Sequence, residues 1–194
     1  GRTTFQEGPR RFEAGTPNAA GAVGLAAAVG YLADMGHKKI AVIGGEREYS
    51  DTGRLRYAGV LRALTERGMI FDADRFYKTA HYSFEEGYTA MAELLRETSE
   101  ITAVFAMADV MAIGAARAVR DAGKRIPEDI SLIGFDGLPI CRYYEPRLST
   151  VTQQIAFMAE KSYAVLLDMI ENGSGAQHVL APYTLEKTDS IRKN

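Results

Sequence analysis

The sequence predicts an α/β protein built on a doubly wound parallel sheet, and three observations lead there. Short apolar runs of strand length alternate with amphipathic segments of helix length. Most helical segments end at a glycine, which can take the left-handed conformation that stops a helix. The composition, 46% hydrophobic and 25% charged over 194 residues, suits a chain that buries a core without disulfides or metals. Strands that alternate with helices are joined by right-handed crossovers, giving a parallel sheet covered on both faces.

Residues 1–18 mix Gly, Pro, Arg and Thr without periodicity and are expected to be an irregular lead-in. Leu25, Ala28, Val29 and Leu32 then fall at helical spacing within Ala19 to Met35, and Gly36 supplies the stop. Lys39 to Gly44 reads as a strand. Tyr57, Val60, Leu61 and Leu64 repeat the helical pattern up to Gly68, and Phe76 to Ala80 reads as a short strand. Ser83 and Glu86 form a capping box in front of the apolar face of Tyr88, Met91, Ala92 and Leu95. Thr102 to Met107 is a strand, followed by a helix to Ala122 that Asp109 is placed to cap. Ile126-Pro127 breaks the chain before the strand Ile130 to Phe135. Beyond Pro139 and Pro146 come a strand at Leu148 to Val151 and a helix at Ile155 to Asn172. That helix buries Ile155, Met158, Ala159, Leu166 and Ile170 and stops at Gly173. A weak last strand is expected near His178 to Ala181.

Several function classes are excluded by what the chain carries. Its net charge of −2, with interspersed signs, provides no basic stripe for nucleic acid. No apolar run approaches the roughly 20 residues that span a bilayer, so no membrane partner is expected. One cysteine, Cys141, and three scattered histidines give neither a disulfide framework nor metal-ligand spacing, and no metal or cofactor is expected. Gly44-Gly45 follows a strand, but no phosphate-binding glycine motif continues from it, and no G-x-S-x-G elbow is present. No catalytic constellation can be named, so the chain does not read as an enzyme.

In open parallel sheets ligands sit beyond the carboxyl ends of the strands. That rule selects the segments after Gly44, Ala80, Met107 and Phe135, which carry Arg54, Arg56, Tyr82, Asp109 and Asp136. Arg56, at a helix opening, can offer a bidentate fork over the strand ends, or it can be solvated or paired with Glu46. Asp136 can accept hydrogen bonds from ligand hydroxyls, or Asp136-Gly137 can simply be a turn. Asp109 reads better as a helix cap than as a ligand contact but stays among the candidate effector-binding residues, and Tyr82 fits either a stacking wall or a gap in the core.

Taken in order, these motifs resemble the LacI/GalR family of transcriptional repressors from about Ala19 onward. The resemblance rests on Tyr31 to Gly45, Arg54-Leu55-Arg56-Tyr57-Ala58-Gly59-Val60, Ser83 to Tyr88, Met107 to Ala115, Ile126 to Asp136 and Leu148 to Gln153. It implies a periplasmic-binding-protein-like fold of type I, in which two α/β subdomains close on an effector, usually a sugar or sugar derivative and sometimes a purine. By resemblance Arg56 clamps the effector, Asp136 binds its hydroxyls, Tyr82 forms an aromatic wall and Gln153 is a polar residue near the crossover. Many members have Asn where this chain has Ala108, which cannot make the amide contact, so the effector or its orientation is expected to differ.

The resemblance also implies a helix-turn-helix, a hinge and most of a first subdomain ahead of the matched region, and residues 1–18 do not match them. Residues 19–151 are therefore expected to form the C-terminal, effector-binding subdomain. Residues 152–194 would be the crossover, helix and strand that complete the N-terminal subdomain. The expected function is effector-controlled repression in the cytoplasm, as a homodimer, with operator DNA held by a head absent from these residues. A periplasmic sugar-binding protein of a transporter is the alternative; the stretch Ile126-Pro127-Glu128-Asp129-Ile130 favours the repressor.

Overall fold

A computed structural model describes residues 19–47, 51–175, 177 and 179–194. The expected lead-in, Gly1 to Asn18, lies outside the described residues, as does His178. The chain runs α1 (Ala19–Asp34), β1 (Ile40–Gly44), α2 (Asp51–Thr65), α3 (Ala73–Phe76), β2 (Tyr77–Thr79), α4 (Phe84–Glu97), β3 (Ala103–Ala106) and α5 (Asp109–Asp121). It continues with β4 (Ser131–Asp136), a 3-10 turn (Pro139–Arg142), β5 (Ser149–Gln153), α6 (Ile155–Asn172) and β6 (Tyr183–Glu186). The strands form one sheet in the order β2-β1-β3-β4-β5-β6. Its first five strands pair in parallel, and β6 pairs antiparallel to β5.

Every residue of β1 and β3 is buried, which requires cover on both faces and explains why these strands read as unbroken apolar runs. Helices α1 and α2 pack as one pair and α4 and α5 as another. The second pair is unusually close: a Cβ on Gly114 would fall on the Phe84 carbonyl, and one on Gly87 on the Met111 backbone. Ser83 caps α4 as its box predicts, its hydroxyl accepting from the Glu86 amide at 3.1 Å. Gly36, Gly68, Gly123 and Gly173 all adopt positive φ at the predicted stops.

The structure corrects the sequence reading in five places. Helix α2 begins at Asp51, so Arg56 sits inside it rather than opening it. A one-turn helix, α3, capped by Asp72, precedes β2. Asp109 does not cap α5: the N-cap is Ala108, with no side-chain hydrogen bond. Helix α6 buries none of its residues, and Ile155, Leu166 and Ile170 stand exposed, because amphipathicity reports that a face wants cover and not where the cover comes from.

The fifth correction concerns the tail. The last strand lies at Tyr183–Glu186, not near His178 to Ala181, and it extends the sheet of β1–β5. Beyond it the chain is stitched across the amino ends of the strands. Ser190 is buried, its hydroxyl donating to the Leu132 carbonyl at 2.6 Å and accepting from the Ser149 amide at 2.8 Å, while the Asn194 amide donates to the Met35 carbonyl. His37, also buried, lies 3.0 Å from Thr102 Oγ1 and 3.1 Å from the Arg192 carbonyl, and burial lowers its pKa. Strand β6 and the chain after it are thus joined by hydrogen bonds to the sheet of β1–β5 and to its amino ends.

Candidate functional site

The carboxyl ends of β1 and β4 place four of the five expected residues together. Arg56 projects from α2 with its guanidinium 5.5 Å from the centre of the Phe135 ring and 5.7 Å from that of Tyr82, and its Nη1 donates to the Tyr82 hydroxyl at 3.2 Å. The Arg56 Nε is buried and has no hydrogen-bond partner among the described residues. A guanidinium N–H out of water and unpaired is costly and calls for an acceptor.

Asp136 ends β4 next to Phe135. Its Oδ1 accepts from Gln153 Nε2 at 2.9 Å, which joins the ends of β4 and β5 and fixes the carboxylate. Burial raises the Asp136 pKa to about 6, the nearby Asp109 charge adds to the rise, and the Gln153 hydrogen bond and the Arg56 charge oppose it. The Arg56 charge reaches Asp136, yet no ion pair between them is seen among the described residues. The arrangement offers guanidinium donors on one side and a fixed carboxylate acceptor on the other, with aromatic rings between.

Backbone conformation marks the same place. Among the described residues the non-glycine positions with positive φ are Tyr82 (φ 50°) and Asp136 (φ 116°). Such conformations are held by surrounding structure and concentrate at binding sites. Gly45 makes room for Tyr82, since a Cβ there would lie 2.8 Å from the Tyr82 hydroxyl. Tyr82 remains 42% exposed and so does not fill a gap in the core.

Asp109 is different. It is fully buried, accepts from Thr150 Oγ1 at 2.6 Å and from the Leu138 amide at 2.7 Å, and presents no surface to a ligand. Its pKa is raised by burial despite these bonds. Sequence reasoning missed Phe135, which underlies Arg56 but reads as one more apolar residue of a buried strand. It also missed Thr150, although a hydroxyl on the core side of a strand is a signal that a polar partner waits there. Two hollows lie elsewhere: one of about 250 Å³ between Val119, Arg120, Lys124, Tyr144 and Pro146, and one of about 300 Å³ beside Leu180 to Tyr183. Among the described residues no helix is long and apolar enough to cross a membrane.

The six-stranded sheet, parallel except for β6, with helices packed against it and a polar and aromatic cluster at its strand ends, is an open α/β architecture. The family model of the periplasmic binding protein-like domain matches residues 29–191, and the chain belongs to that family, in the form found in LacI-type regulators. Among curated relatives, the HTH-type transcriptional repressor PurR of Erwinia tasmaniensis is 41% identical over 140 residues, covering 72% of this chain and 40% of its own length. Among solved structures, a LacI family transcriptional regulator from Enterococcus faecium with bound ribose is 31% identical with a TM-score of 0.78, covering 90% of this chain and 64% of that one. The lac repressor dimer bound to operator and the anti-inducer ONPF is 28% identical with a TM-score of 0.81, covering 89% of this chain and 59% of that one. The chain thus spans about two fifths of the length of the curated relatives it matches.

Proposed function

We propose that this chain is the effector-binding part of a LacI-type transcriptional repressor and that Arg56, Tyr82, Asp136 and Gln153 form one wall of the effector site. The observation that carries the reading is the buried, unpartnered Nε of Arg56 beside the fixed Asp136 carboxylate. A ligand with several hydroxyls satisfies both: its oxygens accept from Arg56, and its O–H groups donate to Asp136. A sugar or sugar derivative has that chemistry and an apolar ring face for Tyr82. Asp109 holds its neighbours in place and makes no ligand contact.

The opposite wall belongs to a second subdomain, toward which β5 leads through α6 with its uncovered apolar side. Effector binding changes the closure of the two subdomains and so the operator affinity of a helix-turn-helix head carried outside these residues; by linkage, operator binding changes effector affinity by the same factor. Phe84 and Tyr88 expose apolar surface on α4, suited to a homodimer contact. The protein acts in the cytoplasm and catalyses no reaction.

A thermal-shift screen of sugars and phosphosugars on the full-length repressor tests the effector class. A bound compound at 100 times its Kd stabilises by about 2.7 kcal/mol, a rise of a few degrees in the unfolding temperature of the full-length repressor. If no sugar or phosphosugar shifts the transition while a purine base does, the effector class is wrong.

A further inference from the structure

The buried carboxylate of Asp109 is the hub of a small closed network. It stands at the first position of α5, yet it faces away from the helix's own amides. Its Oδ2 accepts from the Leu138 amide and its Oδ1 from Thr150 Oγ1, while the Thr150 oxygen accepts in turn from the Gly137 amide at 3.3 Å. Burial, with the charges of Asp109, Glu186 and Asp136, pushes the pKa of the nearby Cys141 thiol upward. One side chain therefore gathers α5, β5 and the turn 137–141.

The turn has a feature on each side. Immediately before it is Asp136, held at φ 116°, followed by Gly137 at φ 76°, where a Cβ would run into the Thr152 side chain. Immediately after it is the 3-10 turn Pro139–Arg142, whose Cys141 points inward while Ile140 is half exposed and Tyr143 is 87% exposed. Among the described residues the Asp136 side chain is held by Gln153, and the peptides that follow it are held by the bonds of Gly137 to Thr150 and of Leu138 to Asp109.

We infer that Asp109 is a positioning residue that clamps the turn 137–141, and that this clamp holds Asp136 in its ligand-facing backbone and joins it to the exposed Ile140–Tyr143 surface as one rigid piece. The consequence for effector binding rests on the function proposed above; the clamp itself does not. Asp109→Asn, nearly isosteric, turns an N–H toward donors that need an acceptor. Thr150→Val removes the hydroxyl that links Asp109 to Gly137 and changes the volume little.

Amide hydrogen exchange by NMR on the 194-residue chain, with no ligand added, tests the clamp. In either variant the amides of Gly137, Leu138 and Cys141 are expected to exchange at least tenfold faster. The Gln153 side-chain amide, which donates to Asp136, is expected to lose its hydrogen-bonded shift, while amides of β1 and β3 keep their wild-type protection. A purely structural role predicts uniform acceleration, with β1 and β3 following the turn, and that result overturns the inference. Unchanged protection at Leu138 and Gly137 in folded variants also overturns it. If Asp109→Asn does not fold, Thr150→Val decides alone. Because no ligand enters, loss of the effector reading leaves this result standing, and the reverse also holds.

Discussion

Asp136→Asn is expected to make the protein more stable and a poorer binder. Asp136 is more than half buried, and its carboxyl is pushed up to about 6 from an ordinary 3.8, chiefly by burial and then by the Asp109 charge. A carboxyl whose folded-state value is raised favours the folded state when protonated. Its contribution is fully present below pH 3.8, is lost as pH rises through 6, and above 6 the ionised group burdens the fold. The difference between about 6 and 3.8 sets an upper bound of about 3 kcal/mol at 1.36 kcal/mol per tenfold step, which partial solvent access reduces to about 1–2 kcal/mol. Asparagine avoids that cost, still accepts from Gln153, and tolerates positive φ better than most residues. Urea unfolding of both proteins is therefore expected to show Asp136→Asn ahead by about 1–2 kcal/mol at about pH 7.5, with a clearly smaller lead at about pH 4.5. A variant less stable than wild type at the higher pH, or an equal lead at both, refutes the reasoning. The same variant is expected to lose on the order of tenfold in effector affinity, the mark of a residue kept for binding at a cost in stability.

Three further outcomes follow from the structure. His37 has its pKa lowered by burial, so the unfolded chain binds more protons as pH falls through 6.5 and stability drops below that point; His37→Gln is expected to flatten this part of the unfolding profile measured by circular dichroism. Residues 1–194 alone, with net charge −2, are expected to give no sequence-selective, salt-resistant complex in a gel shift with operator-like DNA. The exposed α6 side chains Ile155, Tyr163, Leu166 and Ile170 are expected to drive self-association of this chain in light scattering; Leu166→Glu with Ile170→Glu should return it toward a smaller species, and a strictly monomeric wild type contradicts this.

How much was legible in the sequence depended on how local each cause is. The Ser83–Glu86 box, the glycine stops and the apolar runs of β1, β3 and β4 act within a few residues, and these elements stand where the spacing put them. Arg56 and Asp136 were reachable through topology, since the strand-end rule selects both without knowledge of their partners. Asp109 was not: a carboxylate before a helix looks like a cap, and its actual partners, Leu138 and Thr150, lie 29 and 41 residues away. The last strand was placed early because Tyr183–Glu186 is a half-exposed edge with little apolar signal, fixed by pairing with β5. The apolar pattern of α6 was read correctly, but its burial was not, because the surface that covers such a face is not encoded in the face.

The central claim is that the strand-end cluster holds the effector, and isothermal titration of the Arg56→Ala repressor with the compound that wild type binds in the thermal-shift screen tests it most directly. Arg56 carries a buried Nε with no partner among the described residues, and if the ligand supplies the acceptor, as proposed, its loss is expected to weaken binding tenfold to a hundredfold, about 1–3 kcal/mol, while circular dichroism shows the fold unchanged. Wild-type affinity in a folded Arg56→Ala protein would place the effector site elsewhere.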